Sequence, residues 1–278
     1  MPNFLLVKHA PRAGFFSCCF VRLCEIINYF NTHRKLPDKV FGNDLFQMYK
    51  THRTSKEDWT AHFFIDEKTM NIDIPYKEPI RISEADEEIQ FSDYDKLNFK
   101  GLAPFIERYF TPSRQVFEKL QKLKQKYNFN PSEFCGIRYR GTDKVMETNK
   151  PSYEDFIIKA REYRILHPGT PFLILTDELG FLVKFKKEFH NVIAFEETNT
   201  TINSLETAQW YLAAIYAMSK CRNIICTSGN GELFISLYRN GADGIMQYLN
   251  RKETIYGTLN PYYREITNPD DYWLYEKN

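Results

Sequence analysis

The chain has 278 residues, with 43% hydrophobic and 26% charged residues and a formal net charge of +1. That length buries a sizeable core as one large domain or two small ones, and the near-zero charge excludes a global field that would draw in nucleic acid or an anionic membrane. Any anion site must therefore be local. Aromatic residues make up 16% of the chain, a content that fills cores more often than it stacks on sugars or bases.

The six cysteines, Cys18, Cys19, Cys24, Cys135, Cys221 and Cys226, form no C-x-x-C pair and have no histidine at zinc spacing. They lie in apolar segments and read as reduced, buried thiols, so a cytoplasmic location is expected. No run of about 18 apolar residues exists, so no membrane span is expected. The first fourteen residues lack a basic leader and a long apolar stretch, and read as mature chain rather than a signal.

Residues 4–7 read as a short buried strand and residues 8–14 as a loop. Apolar residues at Phe16, Phe20, Leu23, Ile26, Ile27 and Phe30 then predict a helix over 15–31. Lys39-Val40-Phe41 reads as a second strand. This strand–loop–helix–strand unit opens a doubly wound sheet, whose ligands bind at the carboxyl ends of the strands. His9, Arg12 and Ser17 are expected at that end. From 43 to about 100 the pattern is irregular, with Pro75, Pro79 and an acidic run over 83–88 that reads as a solvated face. A helical pattern resumes over 94–109, and a lysine-rich amphipathic helix follows over 115–127, with residues 128–132 as a linker.

The second half alternates strands and helices. Strands are predicted at 134–139, 171–176, 192–194, 223–226 and 244–246, and helices at 153–166, 179–189, 205–219 and 232–238. The expected fold class is α/β: two Rossmann-type parallel-sheet domains facing a cleft. The expected domains are 1–128, 129–250 and an aromatic tail, 251–278, packing back on the body.

Three strand ends in this half carry polar residues: Arg138 and Arg140 through Glu147, Thr176-Asp177-Glu178, and Thr227 through Gly231. In a parallel sheet these ends share one edge. Arg138 and Arg140 point to the same side of their strand, with Arg140 nearer the open end. Its guanidinium offers a planar fork to phosphate oxygens. The turn Ser228-Gly229-Asn230-Gly231 precedes a helix, whose free amides favour a phosphate. Together they are expected to form a diphosphate site without a metal. The structural alternatives are an ion pair of Arg140 with Asp143 or Asp177, and a simple helix cap at 228–231. Neither the phosphate-binding G-x-x-x-x-G-K-S/T loop nor the dinucleotide fingerprint G-x-G-x-x-G after the first strand is present.

Arg138-Tyr-Arg140-Gly-Thr-Asp143-Lys144 resembles the H-x-R-R/G-T/G-D-K motif of the fucosyltransferase-like glycosyltransferases. These include the alpha-1,6-fucosyltransferases, the bacterial nodulation fucosyltransferases and, more distantly, the protein O-fucosyltransferases. Leu175-Thr-Asp177-Glu178 is similar to the second motif of that family, and Ile225-Cys226-Thr227-Ser228-Gly229-Asn230 to its third. Arg12-Ala-Gly14-Phe-Phe-Ser17, with Arg34-Lys-Leu-Pro37 one helix later, is similar to the opening of its first domain.

The resemblance implies a GT-B enzyme, metal-independent and inverting, that needs no cofactor. Its donor would be a nucleotide-sugar and its acceptor an oligosaccharide or glycan. Arg140 matches the family arginine on the donor pyrophosphate, with Lys144 assisting. Glu147, one residue closer to the lysine than the family carboxylate, and Asp143 are the candidates for the base. Arg138, Asp177, Thr227, Ser228, Gly229, Asn230 and Gly231 would line the donor site, and His9, Arg12 and Ser17 the acceptor side. Arg138 stands where the family has a histidine, Gly141 where the alpha-1,6 enzymes have a second arginine, and Ala214 near the family's guanine-reading aspartate. A UDP-sugar such as UDP-xylose therefore stands beside GDP-fucose as a donor. The rival reading is a non-catalytic glycan- or nucleotide-binding protein on the same fold.

Overall fold

The computed structural model describes residues 3–52, 55–65, 78–83, 89–142, 147–198, 203–249, 253–255, 257–259 and 272–274. In the first half, strands β1 (Phe4–Leu6) and β2 (Lys39–Phe41) pair in parallel around helix α1 (Phe15–His33). The helix, expected over 15–31, runs two residues further to His33 and stops where Arg34 takes up a left-handed conformation, φ 54. A short helix α2 (Thr60–Phe63) and helices α3 (Phe99–Phe110) and α4 (Arg114–Lys126) also belong to this half. The helical pattern expected over 94–109 is split in two. A 3-10 turn at Tyr94–Lys96 ends in extended backbone at Leu97, and the Asn98 side chain then accepts from the Gly101 amide to start α3. An asparagine cap there outweighs the continuity of the apolar pattern.

The second half contains β3 (Cys135–Tyr139), α5 (Tyr153–Leu166), β4 (Phe172–Thr176), α6 (Leu179–Glu188), β5 (Val192–Ala194), α7 (Leu205–Met218), β6 (Asn223–Cys226), α8 (Asn230–Arg239) and β7 (Ile245–Tyr248). A small antiparallel hairpin, β8 (Thr254–Ile255) and β9 (Thr258–Leu259), follows. Strand β10 (Trp273–Leu274) adds antiparallel to β7, giving the sheet order β10-β7-β6-β3-β4-β5. Counted in chain order, the five parallel strands run 3-2-1-4-5, the doubly wound order. The direction of winding reverses between β3 and β6, so the ligand crevice of this sheet is at their carboxyl ends.

Side-chain alternation divides the core. Cys135, Ile137, Tyr139, Phe172 and Ile174 pack with α5 and α6 on one face, joined by Trp273. Leu173, Leu175, Ile224 and Cys226 pack on the other face with α7, α8 and the apolar residues of α1, α3 and α4. The two halves therefore share one continuous core. Every residue of β3 is buried, as expected of a central parallel strand covered on both sides. Gly136 lets α7 approach β3 closely: a Cβ there would lie 2.9 Å from Met218 Cγ. No described helix is long and apolar enough to cross a membrane.

Candidate active site

Strand β3 delivers Arg138 and Arg140 to the switch point on the side facing α7 and α8, opposite Tyr139. The two arginines meet different surroundings. Arg140 Nε lies 2.9 Å from Asp177 Oδ2, with 19% of the Arg140 side chain exposed. The same carboxylate accepts from Thr142 Oγ1 at 2.7 Å and from the Gly141 amide at 3.0 Å. Asp177, just past the end of β4, thus wraps the exit of β3 around itself. Burial pushes the Asp177 carboxyl up, but the Arg140 guanidinium, Thr142 and more distant Arg138 outweigh it and hold it below its ordinary value. The ion pair of Arg140 with Asp177 is the one foreseen as a structural alternative, and it leaves the Arg140 side chain partly exposed.

Arg138 is 3% exposed. Its Nε lies 3.1 Å from Glu232 Oε1, its Nη2 donates to Tyr211 Oη at 2.7 Å and its Nη1 to the Leu175 carbonyl at 3.3 Å. It ties β3 and β4 to α7 and α8 from below the crevice. Ala214, on the same helix as Tyr211, is fully buried in the core.

The exit of β6 is equally occupied. Thr227 donates its amide to the Arg138 carbonyl at 3.0 Å and its hydroxyl to Glu232 Oε1 at 3.3 Å. Ser228 Oγ donates to the Tyr248 carbonyl and accepts from Gln247 Nε2, both at 2.9 Å. Gly229 is bridged by Tyr94. The Tyr94 hydroxyl accepts from the Gly229 amide and donates to its carbonyl, each at 3.1 Å. Asn230 Nδ2 donates to Gln90 Oε1 at 2.9 Å. Gln247 completes the arrangement, accepting from the Tyr94 amide and donating to the Ser92 carbonyl. Segment 89–97, irregular by its sequence, thereby seals the β6–α8 turn with buried hydrogen bonds. The amide of Gly229 is taken up by this seal. The first-turn amides of α8 beyond it have no acceptor within their own helix.

The first half brings a second helix N-terminus to the same place. Phe16, in the first turn of α1, sits 3.7 Å from where a Cβ of Gly231 would be, and a Cβ there would lie 3.2 Å from Tyr211 Oη. Phe16 also packs edge-on to Tyr211, with centroids 5.4 Å apart. The start of α1 is capped from outside: the Phe15 amide donates to Tyr49 Oη at 3.1 Å. Next to Tyr49 in sequence, the Lys50 ammonium donates to the carbonyls of Asn43, Ser55 and Glu57. His9 and Ser17 are joined, Nε2 to Oγ at 3.0 Å. Burial lowers the pKa of His9 below its ordinary 6.5, which keeps the imidazole neutral at neutral pH. Arg12 is exposed on the loop before α1.

The sequence-predicted residues Arg138, Arg140, Asp177 and Thr227 through Gly231 are thus gathered at one sheet edge. The loop and first turn that carry His9, Arg12 and Ser17 belong to the α1 end that touches α8. Glu147 is half-buried in the turn after that edge, whereas Asp143 and Lys144 lie outside the described residues. Sequence reasoning missed Tyr94, Gln90, Gln247, Tyr211 and Glu232. Glu232 alone carried a signal, as an acid in the first turn of a helix opening on glycine. Among the described residues no group of three His, Cys, Asp or Glu side chains could hold a metal.

A two-stranded parallel sheet and a doubly wound sheet thus meet through helix N-termini at their carboxyl ends, with arginines at the switch point. No protein-family model matches the chain, and no curated protein matches it. Among solved structures it is similar to the NodZ alpha-1,6-fucosyltransferase soaked with GDP-fucose, with TM-score 0.60, 12% identity, and coverage of 89% of this chain and 95% of that one. The same enzyme co-crystallised with GDP gives TM-score 0.58 at equal identity and coverage. NodZ from Bradyrhizobium gives 0.56, at 12% identity and coverage of 89% of this chain and 96% of that one. The chain has the GT-B fold of these fucosyltransferases.

Proposed function

We propose that this chain is a glycosyltransferase that moves a sugar from a nucleotide-diphosphate sugar to a glycan hydroxyl with inversion and without a metal. The observation that carries the reading is Arg140: a partly exposed guanidinium, oriented by Asp177, at the switch point of a fold solved with GDP and GDP-fucose in its relatives. Placed against the leaving diphosphate, it would stabilise the negative charge that grows as the glycosidic bond breaks. Lys144 would add a second positive charge. The acceptor hydroxyl must lose its proton during in-line attack, and Glu147, with Asp143 as the alternative, would take it. His9, Arg12 and Ser17 would face the acceptor.

Arg138 and Asp177 support the donor site indirectly, through the ion pairs and hydrogen bonds they make within the protein. A buried alanine at 214 and a buried arginine at 138 leave GDP-fucose and a UDP-sugar such as UDP-xylose both to be tested. We take residues 1–128 as the acceptor side, 129–250 as the donor side and 251–278 as a tail on the body. The six free cysteines favour the cytoplasm. Thermal-shift screening with GDP, UDP and their sugars tests the reading. A rise in melting temperature with one base supports it and names the donor, and no shift with any of them would sink it.

A further inference from the structure

We propose that Glu178, held by Lys150 and Tyr153, is a positioning residue for Arg140, gripping the β3 exit at Gly141 from the face opposite Asp177. This deepens the donor-site reading of Arg140 and rests on it.

Side chains alternate along β3 and just beyond it. Arg138 and Arg140 point toward α7 and α8, and Tyr139 and Gly141 toward α5 and α6. Asp177 and Glu178 follow one another at the end of β4, and they reach the two faces of the β3 exit. Asp177 takes the Arg140 guanidinium and the Gly141 amide. Glu178 lies under Gly141 itself: a Cβ there would be 2.6 Å from Glu178 Cδ and 2.9 Å from Lys150 Cε. Gly141 is not in the left-handed region, so a side chain there is opposed by lack of space and not by backbone strain, and it would have to displace the Glu178 carboxylate. The carboxylate occupies the volume that a side chain at 141 would fill.

Glu178 is itself fixed from several directions. Lys150 forms an ion pair with Oε1, and the Tyr153 hydroxyl donates to Oε2 at 2.5 Å. The Glu178 amide donates to Thr176 Oγ1 at 3.1 Å. Tyr153 is braced by Tyr139 and Phe181, each with ring centroids 5.5 Å away. The Glu178 side chain is 12% exposed, so both of its oxygens are satisfied away from bulk water. Asp177 therefore bonds the Arg140–Gly141 unit from one side, and the Glu178 carboxylate packs beneath it on the other. Lys150, which pairs with Glu178, comes from the far end of the same loop.

The test uses the full chain with Glu178→Gln, Lys150→Met, Lys150→Arg and Gly141→Ala. Hydrogen exchange at the Gly141 amide is measured without nucleotide, and donor kcat and KM are measured with the sugar nucleotide selected by the thermal screen. Glu178→Gln, Lys150→Met and Gly141→Ala are expected to speed Gly141 exchange about ten-fold, while amides of β4 keep wild-type protection. The same three are expected to lower kcat by about ten- to hundred-fold with KM changed less than about three-fold, and Lys150→Arg to stay near wild type. Unchanged Gly141 exchange in both Glu178→Gln and Lys150→Met overturns the grip. Faster exchange throughout β4 also overturns it, since the effect is then general destabilisation. A wild type that binds no nucleotide overturns the donor-site reading instead, and the exchange measurement still decides the grip.

Discussion

Arg138 and Glu232 form an ion pair across the switch point, Nε to Oε1 at 3.1 Å, with side chains 4% and 0% exposed. One lies in the buried strand β3 and the other in the first turn of α8. The pair adds a buried side-chain link between the two sides of the crevice, beside the backbone bond from the Thr227 amide to the Arg138 carbonyl. Removing one partner strands the other charge in the interior, at a cost of about 3–5 kcal/mol. Arg138→Met is expected to lower unfolding free energy by that amount in urea titration. Arg138→Met with Glu232→Met together should recover most of it, because the desolvated charge is gone. A single variant costing no more than an exposed ion pair, below about 1 kcal/mol, would contradict the burial of the pair.

Tyr94 closes the β6–α8 turn through a hydroxyl that both accepts from and donates to Gly229. Tyr94→Phe keeps the ring and leaves two buried backbone groups without that partner. The expected loss is about 1–3 kcal/mol, read as a shifted urea midpoint with unchanged slope. A changed slope would instead mean that segment 89–97 detaches and exposes surface.

Asp177 gives the chain a defined acid sensitivity. Its carboxyl is held below its ordinary 3.8 in the folded state, chiefly because Arg140, Thr142 and the Gly141 amide overcome the effect of burial. The native state therefore binds fewer protons than the unfolded chain as pH falls. The stability this contributes is complete above 3.8 and is lost as pH drops through the lower folded value. Asp177→Asn is expected to cost about 1 kcal/mol or less at pH 7 and to flatten the stability–pH curve below about 4. An unchanged curve there would show that Asp177 is not held ionised by Arg140.

Much of the fold was legible because β3, β4 and β6 are short apolar runs between helical patterns, the signature of a buried parallel sheet. The expected strand 134–139 is found at Cys135–Tyr139, and the expected helix 115–127 at Arg114–Lys126. The gathering of Arg140, Asp177 and Thr227 followed from topology alone, since parallel strands put their ends on one edge. What Arg138 does there did not. Nothing in its neighbours along the chain announces Glu232 or Tyr211, which reach it across 94 and 73 positions of sequence. The seal by Tyr94, Gln90 and Gln247 was hidden for the same reason. Segment 89–97 has no periodicity of its own, and its order comes from partners over 130 residues away. The crowding at Gly141 was likewise invisible, because it comes from Glu178, which caps α6 beyond the end of β4.

We propose that Arg140 binds the diphosphate of a sugar nucleotide. It is tested most directly by calorimetric titration of GDP and UDP into wild type and Arg140→Ala, each checked for an unchanged fold by circular dichroism. A charge-assisted contact contributes about 1.5–3 kcal/mol, so Arg140→Ala is expected to weaken the preferred nucleotide diphosphate by about ten- to hundred-fold. The corresponding nucleoside, which lacks phosphate, should bind both proteins alike. Equal affinity of wild type and Arg140→Ala for the diphosphate would contradict the account.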